Sequence, residues 1–262
     1  MRTNDARVER PRGFTLPEML TVMAVTSLLM GALWHVGVKA VVVANRARVA
    51  TELRNLSEAV ENFAQQFGDY PPDFHDPVAA RRFVRAMFPK CPERNYPNLS
   101  GQSPATALYF WLAGPKGRGF SANPANPFDD GPRRIGPFID FAADRLRPTC
   151  SGGVQYLPPG GAGSPYVYFR GGLHGYDGNR GWPPVHPYRF SKDNSWINAD
   201  TFQIIAPGDD GRFGGGHHYP SGSDYDEANH DDISNFSGGS TLRQAMPAES
   251  GRQSAATSNE DG

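Results

Sequence analysis

The densest group of potential metal ligands lies between residues 207 and 236. Seven carboxylates fall in this segment: Asp209, Asp210, Asp224, Asp226, Glu227, Asp231 and Asp232. Carboxylates so close together repel one another, and Ca²⁺, which accepts roughly six to eight oxygen ligands in a flexible geometry, would relieve that repulsion. His217, His218 and His230 would also permit zinc or nickel. Because oxygen donors outnumber these nitrogens, the composition favours calcium.

A single carboxylate, Glu18, also lies near the start of the most apolar stretch of the chain, residues 14–34. As a helix this stretch would be about 30 Å long, which is one hydrocarbon thickness. A lone carboxylate in lipid is costly, so such a group is usually paired or functional. Alternatively, Glu18 lies at the membrane interface and stabilises the helix N-terminus.

One long helix is predicted to carry Glu18 at its start and an amphipathic second half. The apolar residues of that half are spaced four, three, four, three and four, which is one face of a helix. They are Val49, Leu53, Leu56, Val60, Phe63 and Phe67. Gly68, followed by Pro71 and Pro72, is a C-terminal stop signal. The helix is therefore expected from about Pro17 to Phe67, with its first half in lipid or a helix bundle.

The residues before the helix predict its orientation. Residues 1–13 contain Arg2, Arg7, Arg10 and Arg12. Basic flanks stay on the cytoplasmic side, so the body of the protein is expected outside the cytoplasm. A cleaved secretory signal is disfavoured, because the apolar stretch is long and no small-x-small site closes it.

An α+β head is predicted for residues 68–243. A short helix is expected from Asp76 to Phe88, with Asp76 as cap and Pro77 in its first turn. Strands are expected at 166–172 and 201–211, in antiparallel pairing, whereas 105–114 is either a strand or a short buried helix. Two alternatives are open for Trp182, Pro183 and Pro184 together with Tyr166 and Tyr168: they line a sugar- or peptide-binding groove or they pack the core, and the core is favoured. Residues 244–262 are polar and unpatterned, and a disordered tail is expected there.

Composition excludes some classes of function. The formal net charge of −1 gives no basic excess for binding nucleic acid. No G-x-S-x-G or HE-x-x-H motif is present, and no catalytic constellation is predicted, so the chain is not expected to be an enzyme. Cys91 and Cys150 form either a disulfide, if the head lies outside the cytoplasm, or two unpaired buried thiols.

The N-terminal residues resemble the processing site of type IV prepilins and type II secretion pseudopilins. The resemblance rests on RG-FTLPEML: Gly13, then Phe14, with Glu18 four residues further on, after a basic leader and before a long apolar helix. It implies that a prepilin peptidase removes residues 1–13 and methylates Phe14. It also implies that Glu18 directs assembly by meeting the terminal amine of a neighbouring subunit.

The C-terminal segment resembles the calcium loop of the major type II secretion pseudopilin. A strand, then GDDGRFGGG, then DDISNF carries this resemblance. It implies that Asp210 and Asp232 are side-chain ligands and that the carbonyl near Pro207 is a backbone ligand. The family has an acid where this chain has His230, and Asp231, or Asp224 or Asp226 from the insert, would replace that acid.

Together these resemblances imply a structural subunit of a pilus or secretion pseudopilus, with a pilin-like α+β fold and a Ca²⁺-stabilised head. Its partners would be copies of itself, the prepilin peptidase, the inner-membrane assembly platform and membrane lipid. Its precursor would sit in the inner membrane and its filament in the periplasm or outside the cell. Two alternatives stay open: a minor or tip pilin that binds a substrate protein, DNA or sugar, and a membrane-tethered carbohydrate-binding protein.

Overall fold

The structure is a computed structural model of the full chain. It describes residues 14–160, 163–172, 176, 182–220, 225 and 227–246, with the helical backbone alone for residues 32–38. The chain divides into two compact units, residues 1–44 and 45–262. The predicted leader, residues 1–13, lies outside the described residues, as do residues 247–262 of the predicted tail.

The predicted long helix is confirmed. Helix α1 covers Leu16–Phe67. It ends where the sequence placed the stop: the N–H of Gly68 donates to the Ala64 carbonyl at 2.7 Å, and Gly68 has a φ of +87°. Only glycine adopts such a φ without strain, so Gly68 closes the last turn.

Crossing a membrane takes a helix that is both long and apolar, and among the residues described here no helix meets both conditions. The bilayer-spanning segment expected from Phe14 to Trp34 therefore stays a prediction.

A second predicted helix is confirmed in the head. Helix α2 covers Pro77–Met87, and the side chain of Asp76 caps it by accepting the N–H of Val78 at 2.7 Å. The segment 105–114, expected as either a strand or a short buried helix, is helical at residues 107–113, with a π-helical turn at Tyr109–Ala113. Helix α3, Glu227–His230, is a single turn in the C-terminal segment.

In the part of the chain that the structure describes, nine short strands form four small sheets. They are β1 Phe120–Ser121, β2 Arg134–Ile135, β3 Leu146–Pro148, β4 Val154–Tyr156, β5 Val167–Arg170, β6 Arg189–Phe190, β7 Phe202–Ala206, β8 His218–Tyr219 and β9 Ile233–Ser234. The order β5–β7–β9 gives a three-stranded antiparallel sheet, and β1–β2 and β3–β4 are antiparallel pairs. The β6–β8 pair is parallel, so the expectation of purely antiparallel pairing was wrong there.

The apolar face of α1 forms one side of the main core of the head. Five of its six predicted residues are buried and Phe67 is partly buried. Phe63 is fully buried, with its ring centroid 5.9 Å from that of Trp111 and 5.2 Å from that of Phe138. Tyr166 and Tyr168 are fully buried too, which confirms the core position for these two residues. The expectation of a core position was wrong for Pro183 and Pro184, which are exposed, and Trp182 is only partly buried.

Residues 71–74, which follow the end of α1, are buried and hydrogen-bonded. Tyr168 donates to the Pro71 carbonyl at 2.8 Å, and the Trp111 indole donates to the Pro72 carbonyl at 2.9 Å. Asp73 accepts the N–H of Arg170 at 3.3 Å. The chain leaving the helix is thus fixed to β5 and to the π-helical turn.

The two cysteines are not joined. Cys91 is a buried free thiol and Cys150 is an exposed one. The alternative of a disulfide is therefore not the arrangement in the structure, and of the two thiols expected to be buried only Cys91 is.

Candidate functional site

Glu18 folds back onto the start of its own helix. Both the N–H and the hydroxyl of Thr15 donate to the same Glu18 oxygen at 2.8 Å. The N–H groups in the first turn of a helix have no intrahelical partner, and an acid three residues into the helix satisfies one of them. In a single chain, Glu18 therefore acts as a helix cap. Gly13, the other half of the predicted processing site, lies outside the described residues.

The first half of α1 presents apolar side chains on every side. Large apolar side chains from Phe14 to Met30 are exposed, with Phe14 76 % and Leu28 76 % accessible. The hydroxyls in this stretch are bonded inside the helix: Thr26 donates to the Val22 carbonyl at 2.8 Å and Ser27 to the Met23 carbonyl at 2.7 Å. The hydroxyls thus add little polarity to a helix surface that needs an apolar partner.

The predicted calcium ligands occupy different environments. Pro207 is buried at the end of β7, and Asp210 is exposed and accepts the N–H of Arg212 at 2.8 Å. Asp231 accepts the N–H of Asp210 at 3.3 Å. Asp232 is 1 % exposed and accepts the Tyr188 hydroxyl at 3.2 Å. Asp224 lies outside the described residues.

Burial perturbs two of these carboxyl groups. Burial raises the pKa of Asp232 well above its ordinary value, and the neighbouring Asp231 adds to the shift. Burial also raises the pKa of Asp231, with a contribution from Asp210. One oxygen of Asp232, Oδ1, is buried without a hydrogen-bond partner.

Within the described part of the chain, no three or more His, Cys, Asp or Glu side chains are grouped so as to hold a metal ion. The unpartnered Oδ1 of Asp232 and the crowded carboxyl groups are nevertheless the donor chemistry that Ca²⁺ uses, together with backbone carbonyls. The calcium site therefore stays a prediction. An adjacent acid is satisfied from within the chain, since Asp209 forms an ion pair with Arg46 of α1.

A groove lies beside the second half of α1 and was not anticipated from the sequence. It has a volume of about 740 Å³. On one side it is lined by α1 residues and on the other by the 139–145 and 156–160 segments. Two of its lining residues, Glu52 and Arg145, form an ion pair, and each side chain is only about 15 % exposed.

Four donors converge on Glu52. Arg145 contributes two, one of them at 2.7 Å, and the hydroxyls of Tyr156 and Tyr166 donate at 2.5 and 2.6 Å. Burial alone would raise the pKa of Glu52, but the hydrogen bonds from Arg145 and the two tyrosines outweigh burial and hold that pKa below its ordinary value. The network therefore keeps a charged glutamate at the interface between α1 and β4–β5.

Residues 10–34 match the family model for the prokaryotic N-terminal methylation motif. Comparisons of the chain with curated proteins and with solved structures find no match. The chain thus carries a type IV prepilin-like signal, and a long N-terminal helix followed by a head of small antiparallel sheets is consistent with a pilin-like fold. Such a signal implies processing by a prepilin peptidase and self-assembly into filaments, and it points to a structural rather than a catalytic protein.

Proposed function

We propose that this chain is a structural subunit of a type IV pilus or a type II secretion pseudopilus. The observation that carries the proposal is the methylation motif at residues 10–34, because its part from Leu16 to Met30 lies on α1 and exposes large apolar side chains on every side. A helix that is apolar on every side is stable only inside lipid or among other helices. Copies of the same helix are the simplest partners, because each copy presents the same surface.

In this proposal the precursor is held at the inner membrane by its apolar segment and cleaved between Gly13 and Phe14. The assembly platform then moves the processed subunit from lipid into a filament. The resemblance of the C-terminal segment to the major pseudopilin supports a major rather than a tip role, and the abundance of the subunit in purified filaments tests that role.

Glu18 would change partners during assembly. Its carboxylate caps Thr15 in the single chain, and Thr15 would be the second residue of the processed protein. Cleavage creates a terminal amine on Phe14, and the amine of a neighbouring copy would compete for this carboxylate. An unpaired charge among apolar helices is costly, so pairing would favour one register between copies.

Mass spectrometry tests the processing step. The full chain, produced together with a prepilin peptidase, should lose residues 1–13 and gain one methyl group on Phe14. A Gly13→Leu variant should keep its leader, and a Glu18→Gln variant should be cleaved but assemble poorly. An intact leader on the unmodified chain in the presence of active peptidase contradicts the proposal.

We also propose that the C-terminal segment binds Ca²⁺ through Asp210, Asp231 and Asp232, with Asp224 and the Pro207 carbonyl as further ligands. The buried, unpartnered Oδ1 of Asp232 supports this proposal. Calorimetric titration of the full chain in detergent should give heat that Asp232→Ala abolishes and the exposed control Asp193→Ala leaves unchanged. Ca²⁺ should also raise the melting temperature. If CaCl₂ produces neither a heat of binding nor a rise in melting temperature, the calcium proposal is wrong.

A further inference from the structure

The second half of α1 has a polar face opposite its buried one. Arg48, Thr51, Asn55, Glu58 and Asn62 are spaced three, four, three and four, so they lie on one side of the helix, and all five are exposed. We call these five residues the outer stripe. Its first three residues also line the groove of about 740 Å³.

Most charges of this half of α1 are used inside the chain. Arg46 pairs with Asp209, Glu52 pairs with Arg145, Arg54 donates to the Gly238 carbonyl, and Glu61 accepts the Tyr70 hydroxyl. The two remaining charges, Arg48 and Glu58, make no hydrogen bond or ion pair with the residues that the structure describes. Both belong to the outer stripe, and their charges are opposite.

The distance between these two charges suits a staggered partner. Ten residues separate Arg48 from Glu58, which corresponds to about 15 Å along a helix. Thr51 and Asn55, which lie between them, have short uncharged side chains that let another helix come close. A parallel second helix displaced by about 15 Å along the axis would place its Glu58 beside Arg48.

We propose that the outer stripe binds the outer stripe of a second copy of this chain, in parallel orientation, with Arg48 of one copy paired to Glu58 of the next. This inference rests on the proposed filament function. Each copy would use Arg48 toward one neighbour and Glu58 toward the other. Such a heterologous contact does not close on itself and builds an open polymer.

The parallel orientation is favoured over a two-fold antiparallel pair. An antiparallel pair could also join Arg48 to Glu58 twice, but it would use both charges of each copy within one closed dimer. The proposed filament needs a contact that leaves one charge of each copy for the next neighbour, which the parallel arrangement provides. Ile139, Ala142 and Pro159, on the far wall of the groove, add apolar surface beside the stripe.

Cross-linking tests the contact directly. The full chain carrying Cys150→Ser is produced with the assembly machinery as two populations, one with Arg48→Cys and one with Glu58→Cys. Mild oxidation of the mixed filaments should give a dimer that contains both variants. A matched pair of Arg54→Cys and Glu58→Cys should cross-link far less, because Arg54 faces the Gly238 carbonyl.

Charge reversal gives an independent readout. Arg48→Glu or Glu58→Arg should each lower filament yield by about tenfold, since every subunit meets a like charge, and the double reversal should restore it. N-terminal processing should be normal in all three. If the protein is processed and forms filaments, but the cross-link does not form and the double variant does not restore the yield, the proposed interface is wrong. The filament function is unaffected by that result. An oxidised dimer without filaments overturns the parallel arrangement, and absence of processing in the unmodified chain overturns the function itself.

Discussion

Replacing Glu52 by glutamine should destabilise the head more than the corresponding replacement of any other acidic residue of α1 by its amide. The substitution keeps the size of the side chain but removes its charge. It replaces one oxygen by an amide that donates rather than accepts. The Arg145 guanidinium, whose side chain is 16 % exposed, is then left without a carboxylate, and the hydroxyls of Tyr156 and Tyr166 lose a charged acceptor.

The expected loss follows from the number of bonds and their burial. Each hydrogen bond to a charged group contributes about 1.5–3 kcal/mol, and glutamine can accept only at one oxygen, so at least one pair of bonds is lost. Removing one partner of a buried ion pair costs about 3–5 kcal/mol. Because both side chains keep slight exposure, we expect a loss near the lower value, about 3 kcal/mol. In a domain of this size that loss lowers the melting temperature by roughly 6–12 °C.

Near-ultraviolet circular dichroism of the full chain in detergent provides the assay, because the aromatic side chains that report tertiary packing lie in this core. Glu93→Gln is the matched control: it breaks the Arg85 ion pair, whose side chains are 69 % and 66 % exposed, and should leave the melting temperature unchanged. If Glu52→Gln melts like Glu93→Gln, the network does not stabilise the head and the reasoning is refuted.

Three further predictions concern the same head. The pKa of Glu52 is lowered by folding, so the stabilisation from its charge is complete above the ordinary pKa of 4.5 and is lost as pH falls through the lower folded-state pKa. The melting temperatures of the unmodified chain and Glu52→Gln should therefore converge as pH falls below 4.5, and a constant gap would contradict the lowered pKa. Phe63→Ala should cost about 3–5 kcal/mol in urea unfolding, because the ring is fully buried among aromatic rings, and a loss below 1 kcal/mol would contradict that packing. Cys150 should react quickly with maleimide while Cys91 reacts slowly, because Cys91 is buried and burial raises its pKa; rapid reaction at both, or at neither, would contradict the free-thiol arrangement.

The elements that could be predicted are those whose signals lie within one continuous segment of the sequence. The four-three spacing from Val49 to Phe67 predicted the second half of α1 and its buried face, and Gly68 predicted its end. The cap at Asp76 and the start of α2 followed from local hydrogen bonding. The strands at 166–172 and 201–211 were expected from their aromatic and β-branched residues, and both contain a strand, β5 and β7.

The groove and its network could not be predicted in the same way. Glu52 is one of several charges on the polar side of α1, and its partner Arg145 lies 93 residues away in sequence. Tyr156 and Tyr166 lie 104 and 114 residues from it. No local pattern relates these positions, because the head brings them together only when β3, β4 and β5 fold against α1. Two-residue strands such as β6 and β8 likewise depend on tertiary packing rather than on propensity.

The buried segment from Pro71 to Phe74 has a mechanical consequence. A chain that turns away from a helix through glycine and two prolines would ordinarily act as a flexible joint, but here Trp111 and Tyr168 clamp its carbonyls. A tensile force on the last turns of α1 is therefore transmitted directly to β5 and to the π-helical turn. Bending at Gly68 would require the buried aromatic side chains of the core to move together. Gly68 is therefore a fixed turn and not a hinge.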